Sequence, residues 1–324
     1  MERVSREVET ALTDLAWQHW TELGVSGWRL RERQGTAELD VAIDPEPLIF
    51  LTAAVADIDP RLRDEAIDWC VTFGRYISKV RLKRLLRRGI VDPTAYSSFA
   101  RTVNRSAHLA WPSEGGVTWR FKPTGRSGLN VRGRRSTIRL RARLIFGVSA
   151  RAEILIALGD DARWAFTATE LAERARYGRR VVVDALEALT AVGLVRGVDA
   201  PGARRFALAD SVAVHGILGP PPAVTIDWAL AFDACWRCVV TLREFAKARE
   251  TVRAIEAVKT ADAVEAELMQ TWLSAPRSMP RGQKAWERLE DWTLELIEVL
   301  RDPSRAEFAP RRDRRLRPRR ARAS

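Results

Sequence analysis

The chain has 324 residues, 46% hydrophobic and 30% charged, with a net charge of +12, which suits a folded protein with more than one core. No run approaches the roughly 18 to 20 consecutive apolar residues of a membrane helix. The N-terminal "MERVSREVETALTDLAWQHW" mixes acids and bases where a secretion signal has an apolar stretch, so a cytoplasmic location without membrane contact is expected.

Residues 1–112 read as a mostly helical domain. "DPRLRDEAIDWCVTF" puts Leu62, Ala66, Trp69 and Phe73 at helical spacing behind Pro60. Gly74 interrupts the pattern, Ser78 is placed to cap "KVRLKRLLRR", and Gly89 to end it. Residues 75–88 carry seven bases and no acid. This pair, 62–88, has the length of a helix-turn-helix, but no wing follows. A packing or dimerisation helix with a solvated basic face is favoured over a second DNA-binding pair.

Residues 113–148 are expected to be a basic loop or short hairpin followed by a connecting helix in "TIRLRARLIF". The stretch 117–143 carries nine bases and no acid. Residues 211–223, with "GPPPA", are expected to be a Pro-rich linker. In 224–303, Trp228, Phe232, Cys235, Val239, Leu242 and Ala246 recur at alternating steps of four and three. Val264, Leu268 and Trp272, then Trp286, Leu289, Thr293, Leu296 and Leu300, suggest two more helices of a C-terminal bundle. The tail, 304–324, is expected to be disordered, and its "RRDRRLRPRRAR" sets eight arginines against Asp313. The three basic segments leave the rest of the chain acidic, a distribution that fits a polyanion footprint as well as solvated faces.

The most informative stretch is "TATELAERARYGRRVVVDALEALTAVGLVRGVDAPGARRFAL", residues 167–208. Thr167 and Glu170 form a capping box ahead of Leu171, Ala172 and Ala175. "RYGR" breaks the pattern, and a further helix buries Val182, Ala185, Leu186, Leu189 and Val192 before Gly193 caps it. "LVRGV" and "RRFAL" then read as strands around an Asp-Pro-Gly turn. With the helix expected after Ser149, the order over 149–210 is three helices and a hairpin. On these elements the chain resembles the winged helix-turn-helix regulators related to the arsenical-resistance and multiple-antibiotic-resistance repressors, over about a fifth of its length. It lacks the paired-cysteine metal sensor of some arsenical repressors, so that chemistry is not carried over.

The resemblance implies a mainly α protein with a central winged helix and a small β-hairpin wing, flanked by an N-terminal helical domain and a C-terminal helical bundle. It makes residues 178–192 the recognition helix, with Arg179 or Arg180 suited to a guanine edge and Val183 to a thymine methyl. Asp184 and Glu187 share that face. Thr167, Thr169, Arg176 and Tyr177 become phosphate partners, with Arg174 also near the turn. Arg196, Arg204 and Arg205 are wing contacts. From Ser149 to Ala209 there are nine arginines and eight acids, so much of the affinity is expected to come from basic segments elsewhere, the loop 117–143 and the tail.

Other signals are weaker. Cys70, Cys235 and Cys238 are too few for a disulfide framework, and "CWRC" lies on an apolar stripe without a second ligand pair. His19, His108 and His215 are scattered, so no metal and no cofactor are expected. Asp160 with Asp161, and Glu290 with Asp291, read as solvated carboxylates. "GRSGLNVRGRR" is no phosphate loop, and no catalytic residues are assigned. Trp228, Trp236, Trp272, Trp286 and Trp292 suit a core, or a pocket for an unknown small-molecule effector. The expected function is a sequence-specific transcriptional regulator, not an enzyme, that binds double-stranded DNA as a homodimer and associates with the nucleoid. The alternative is a non-catalytic protein-interaction adaptor whose winged helix makes protein contacts.

Overall fold

The computed structural model describes residues 2–26, 39–160, 164–200, 202–268, 271, 273 and 279–303. The expected disorder of the tail, Trp272, Asp161 and Pro201 of the hairpin turn lie outside the described residues.

The chain is mainly helical, with one small antiparallel sheet. The first helices are α1 (Glu2–Leu23), α2 (Pro45–Ala54), α3 (Pro60–Phe73), α4 (Lys79–Arg88) and α5 (Pro93–Ala107). Their starts follow local chemistry. Asp59 and Asp92 accept hydrogen bonds from the first-turn N–H groups of α3 and α5, with Pro60 and Pro93 opening those helices. Ser78 accepts from Arg81 N at the head of α4, and Gly89, at φ 66°, closes it in the left-handed region.

Next come α6 (Ile138–Phe146), α7 (Ala150–Gly159), β1 (Phe166–Thr167), α8 (Ala168–Ala175), α9 (Arg179–Ala191), β2 (Val195–Val198) and β3 (Arg205–Leu208). The last helices are α10 (Ser211–Leu218), α11 (Trp228–Glu244), α12 (Glu250–Leu268) and α13 (Gln283–Arg301). The sheet order is β1-β3-β2, with Val195 opposite Leu208 and Phe166 opposite Phe206. No helix among the described residues is long and apolar enough to cross a membrane.

Two apolar cores organise these elements. The first joins the two ends of the chain: Trp20, Phe50, Trp69 and Phe99 share it with Trp228, Phe232, Trp286 and Leu289. Helix α1 packs on α11 and α13, and α2 packs on α11. The expected N-terminal domain and C-terminal bundle therefore form one body. The apolar stripe of α11 is buried from Trp228 to Leu242 and faces α1 and α2 as well as α12 and α13, while Ala246 lies beyond the helix and is half-buried. The second core, with Ile154, Leu158, Phe166, Leu171, Leu186, Leu189 and Leu208, holds α7 to α10 and the sheet together.

Two connections differ from expectation. Residues 109–134 make no hairpin; they run as an extended strap over α3 and α5. Ser97, Ser98 and Thr102 each donate a hydroxyl to a carbonyl of α5 and accept a strap N–H, from Glu114, Val117 and Trp119. Further on, Asp68 Oδ1 accepts the Gly125 N–H at 2.9 Å. A loop without a ladder of its own thus has its backbone donors satisfied by side chains. The expected linker is a helix in its first half: α10 buries Val214 and Leu218, and only the proline run after it is extended. That run is also tied down, since Val224 bridges Val41 and Ala223 N donates to Asp40.

Candidate nucleic-acid interface

Helix α8 begins on the expected capping box. Thr167 Oγ1 accepts from Glu170 N at 3.2 Å, and Glu170 Oε2 accepts from Thr167 N at 2.6 Å. The Thr167 oxygen is thereby engaged by its own helix. At the other end Arg176 adopts φ 57°, and Tyr177 N donates to Ala172 O, so α8 closes with a non-glycine residue in the left-handed region. What holds this backbone is tertiary: the Arg176 guanidinium is buried against Asp227, 2.5 Å away.

Helix α9 has one face in the second core, through Val182, Ala185, Leu186 and Leu189. Gly193, at φ 76°, closes it with Leu194 N donating to Leu189 O. Its other face is open. Arg179, Arg180, Val181, Asp184 and Glu187 are exposed and Val183 is half-buried. Val192, expected in the core, is 69% exposed, because it follows the last helical turn and points away from it.

The remaining expected contacts divide. Thr169 and Arg174 are exposed on α8, and Arg196 and Arg204 are exposed on β2 and beside β3. Arg204 lies over the Phe206 ring, 5.6 Å from its centroid. Arg205 turns inward instead, donating to Ala165 O at 2.9 Å and lying 3.3 Å from Glu170. Arg176 and Tyr177 are not phosphate-facing. Both are buried, and the Tyr177 hydroxyl sits 2.9 Å from Ser78 Oγ of α4. Of the ten residues expected at DNA, Thr169, Arg179, Arg180, Arg196 and Arg204 are solvent-exposed and Val183 is half-buried.

Tyr177 is turned inward because α4 packs against the end of α8. Arg84 donates to Tyr177 O at 2.9 Å and forms a two-pronged pair with Glu173 at 2.7 and 2.8 Å. Arg81 and Arg84 also reach the Ala175 and Ala172 carbonyls, so cations meet the negative end of the α8 dipole. The basic helix of the 62–88 pair is thus a packing helix on this face.

Beneath this contact lies a buried ionic junction that sequence reasoning missed. Asp44 and Glu46 at the start of α2, Arg81 of α4, Arg139 and Arg143 of α6, and Glu153 of α7 bring three carboxylates to three guanidinium groups. Arg143 binds Glu46 through both terminal nitrogens, at 2.7 and 2.9 Å, and Glu153 through Nε at 2.8 Å. Arg81 joins Glu153 at 2.6 Å and Asp44, while Arg139 also pairs with Glu153. Glu46 takes in addition the Ser78 N–H at 2.7 Å.

Burial alone would raise the Glu153 carboxyl, but Arg139, Arg143 and Arg81 outweigh it and bring it down to about 2. Asp44 is likewise held well below the usual carboxylate range. Since α2 and α4 belong to the first core and α7 to the second, this neutral cluster fastens one body to the other. Only the i, i+4 spacing of Arg139 and Arg143, and Glu153 amid an apolar run, hinted at it.

Part of the basic stretch 117–143 is engaged within the fold. Arg139 and Arg143 serve the junction, Arg134 pairs with Glu22 and Arg135 with Asp40, and Arg126 lies 3.7 Å from Glu65. Arg141 donates to the Val131 and Arg134 carbonyls. Arg120, Lys122, Arg126 and Arg132 remain exposed.

Two other expectations change. Glu290 is buried and accepts from Trp286 Nε1 at 2.7 Å, and Asp160 is half-buried with its carboxyl pushed up by burial to about 6. Trp228, Trp236, Trp286 and Trp292 are packed into the first core, with Trp228 Nε1 donating to Ala42 O at 2.7 Å. Cys235 and Cys238 lie in the same core, and burial pushes the Cys238 thiol up to about 12.

Compared with known proteins, the chain matches no family model, no curated protein and no solved structure.

Proposed function

We propose that the chain is a transcriptional regulator that binds double-stranded DNA, with α7, α8, α9 and the β2–β3 hairpin acting as a winged helix-turn-helix and α9 entering the major groove. The observation that carries this reading is the division of α9. Its apolar face is committed to the core, while Arg179 and Arg180 at its N-terminal end are solvent-facing, with Val183 beside them. The N-terminal residues of such a helix approach base edges, and a guanidinium suits the two acceptors of guanine. Arg196 and Arg204 of the hairpin are exposed for phosphate or minor-groove contact. Operator occupancy by a homodimer completes the proposal; exposed Leu144 and Ile145 of α6, and Val212 and Ile217 of the adjoining α10, give a second copy apolar surface to cover.

A second reading has its own support. The open face of α9 also carries Val181, Asp184 and Glu187, and Val192 follows it, a composition that fits an adaptor docking on a protein. Titration of the purified chain with random-sequence duplexes separates the two. DNA binding that weakens steeply between about 50 and about 200 mM salt supports the regulator. Absence of duplex binding at low salt, together with a stable partner lost on Val181→Glu, supports the adaptor.

A further inference from the structure

Helix α4 is fastened at Ser78, Arg81 and Arg84 to the end of α8 and to Tyr177, two residues ahead of Arg179. Three of its bases take no part in that attachment. Lys79, Lys83 and Arg87 are exposed and form no ion pair among the described residues. They stand four residues apart, so they make a single row with a rise of about 6 Å per step. Like charges at this spacing destabilise a helix. The attachment does not need them, since α4 is anchored by Arg81 and Arg84 and by buried Leu82, Leu85 and Leu86; only Arg87, in the last turn, meets the favourable end of the helix dipole. Arg88 differs, lying close enough to Glu267 and Arg176 to interact with both.

Resting on the DNA-binding reading above, we infer that Lys79, Lys83 and Arg87 of α4 contact the phosphate backbone flanking the site read by α9. A row of unpaired cations suits charges repeated along a line, and the row's helix is fixed to the turn that leads into α9. The near-neutral charge of residues 149–209 then has a structural complement: affinity comes from a helix outside that segment, held against it by the ionic junction and by Arg84. Such contacts carry no base information; they add affinity that falls with salt.

The test uses the full-length chain and a random-sequence duplex, with the observed affinity followed against salt. Replacing all three residues, Lys79→Gln, Lys83→Gln and Arg87→Gln, should lower the slope of log affinity on log salt by about 2 to 3, since each neutralised phosphate contributes about 0.9. The order of preference among enriched sequences should stay the same. A control removes the same charge from exposed residues of α5 and of the turn after α11, Arg101→Gln, Arg105→Gln and Lys247→Gln, and should leave the slope near the unaltered value. An unchanged slope in the α4 variant, or an equal fall in the control, overturns the inference while leaving α9 as the reader. Failure of the unaltered chain to bind any duplex at low salt overturns the DNA-binding reading itself.

Discussion

Arginine has opposite fates in the ionic junction and on the open face of α9. At the junction Arg81 and Arg143 lose all side-chain exposure to three carboxylates from α2 and α7, whereas Arg179 and Arg180 remain in solvent. Both sets lie in arginine-rich stretches, and the stretch that supplies much of the junction is the more basic. The difference lies in which acids the fold delivers. A guanidinium can be buried only with partners that offset its desolvation, and Asp44, Glu46 and Glu153 arrive from elements distant in sequence. Segment charge therefore says little about availability: the most basic stretch gives Arg139 and Arg143 to the buried junction and Arg134 and Arg135 to ion pairs, and the near-neutral segment keeps its outward arginines.

The comparison breaks most visibly at Glu46. Glu46→Gln leaves Arg143 and Arg81 facing a neutral amide and is expected to cost about 3–5 kcal/mol by denaturant titration. A loss below about 1 kcal/mol would mean that the junction is not a fastening. The same cluster sets an acid limb. The Glu153 carboxyl, held at about 2 in the fold against 4.5 ordinarily, contributes stability that is complete above 4.5 and is lost as pH falls toward 2. Glu153→Gln should remove that part of the pH dependence.

On the open face the expected effect moves from stability to recognition. Arg179→Ala or Arg180→Ala should leave unfolding within about 0.5 kcal/mol of the unaltered chain and reduce discrimination between duplexes by about 1–3 kcal/mol.

A buried neutral imidazole without hydrogen-bond partners sharpens the contrast further. His19 packs edge-on against Trp228, centroids 4.4 Å apart, and neither ring nitrogen has a hydrogen-bond partner among the described residues. Burial lowers its pKa from 6.5 to about 3, so the unfolded chain takes up the proton first and stability falls as pH drops through that window. His19→Leu should stabilise the body by about 1–2 kcal/mol at neutral pH and flatten the window. The smallest effect concerns Tyr177: Tyr177→Phe should cost about 1 kcal/mol of stability through the lost Ser78 contact and leave DNA affinity unchanged. A fall in affinity without loss of stability would return Tyr177 to the phosphates.

What the sequence made legible was local. The caps at Ser78, Thr167 and Gly193, the apolar stripe of α11 and the buried face of α9 follow from side-chain spacing and backbone preference, and they are found, with Ala246 and Val192 as the exceptions. What it concealed depends on partners far along the chain. Nothing near Arg176 or Tyr177 announces Asp227 or Ser78, and nothing in the strap shows that serines of α5 will hold it. Likewise, an apolar stripe fixes which face of α11 is buried but does not name α1 as a neighbour. At the candidate interface, helical periodicity placed Arg179 and Arg180 outward, while the loop-like Arg176 and Tyr177, where periodicity is silent, were misjudged.

The role of α9 is tested most directly by one ratio, the affinity for the best duplex enriched from a random pool over the affinity for random duplex, at a fixed salt concentration. In Arg179→Ala or Arg180→Ala, with unfolding unchanged, that ratio should fall by about tenfold or more, the equivalent of about 1.4 kcal/mol. An unaltered ratio in both variants would contradict the assignment of α9 as the element that reads sequence.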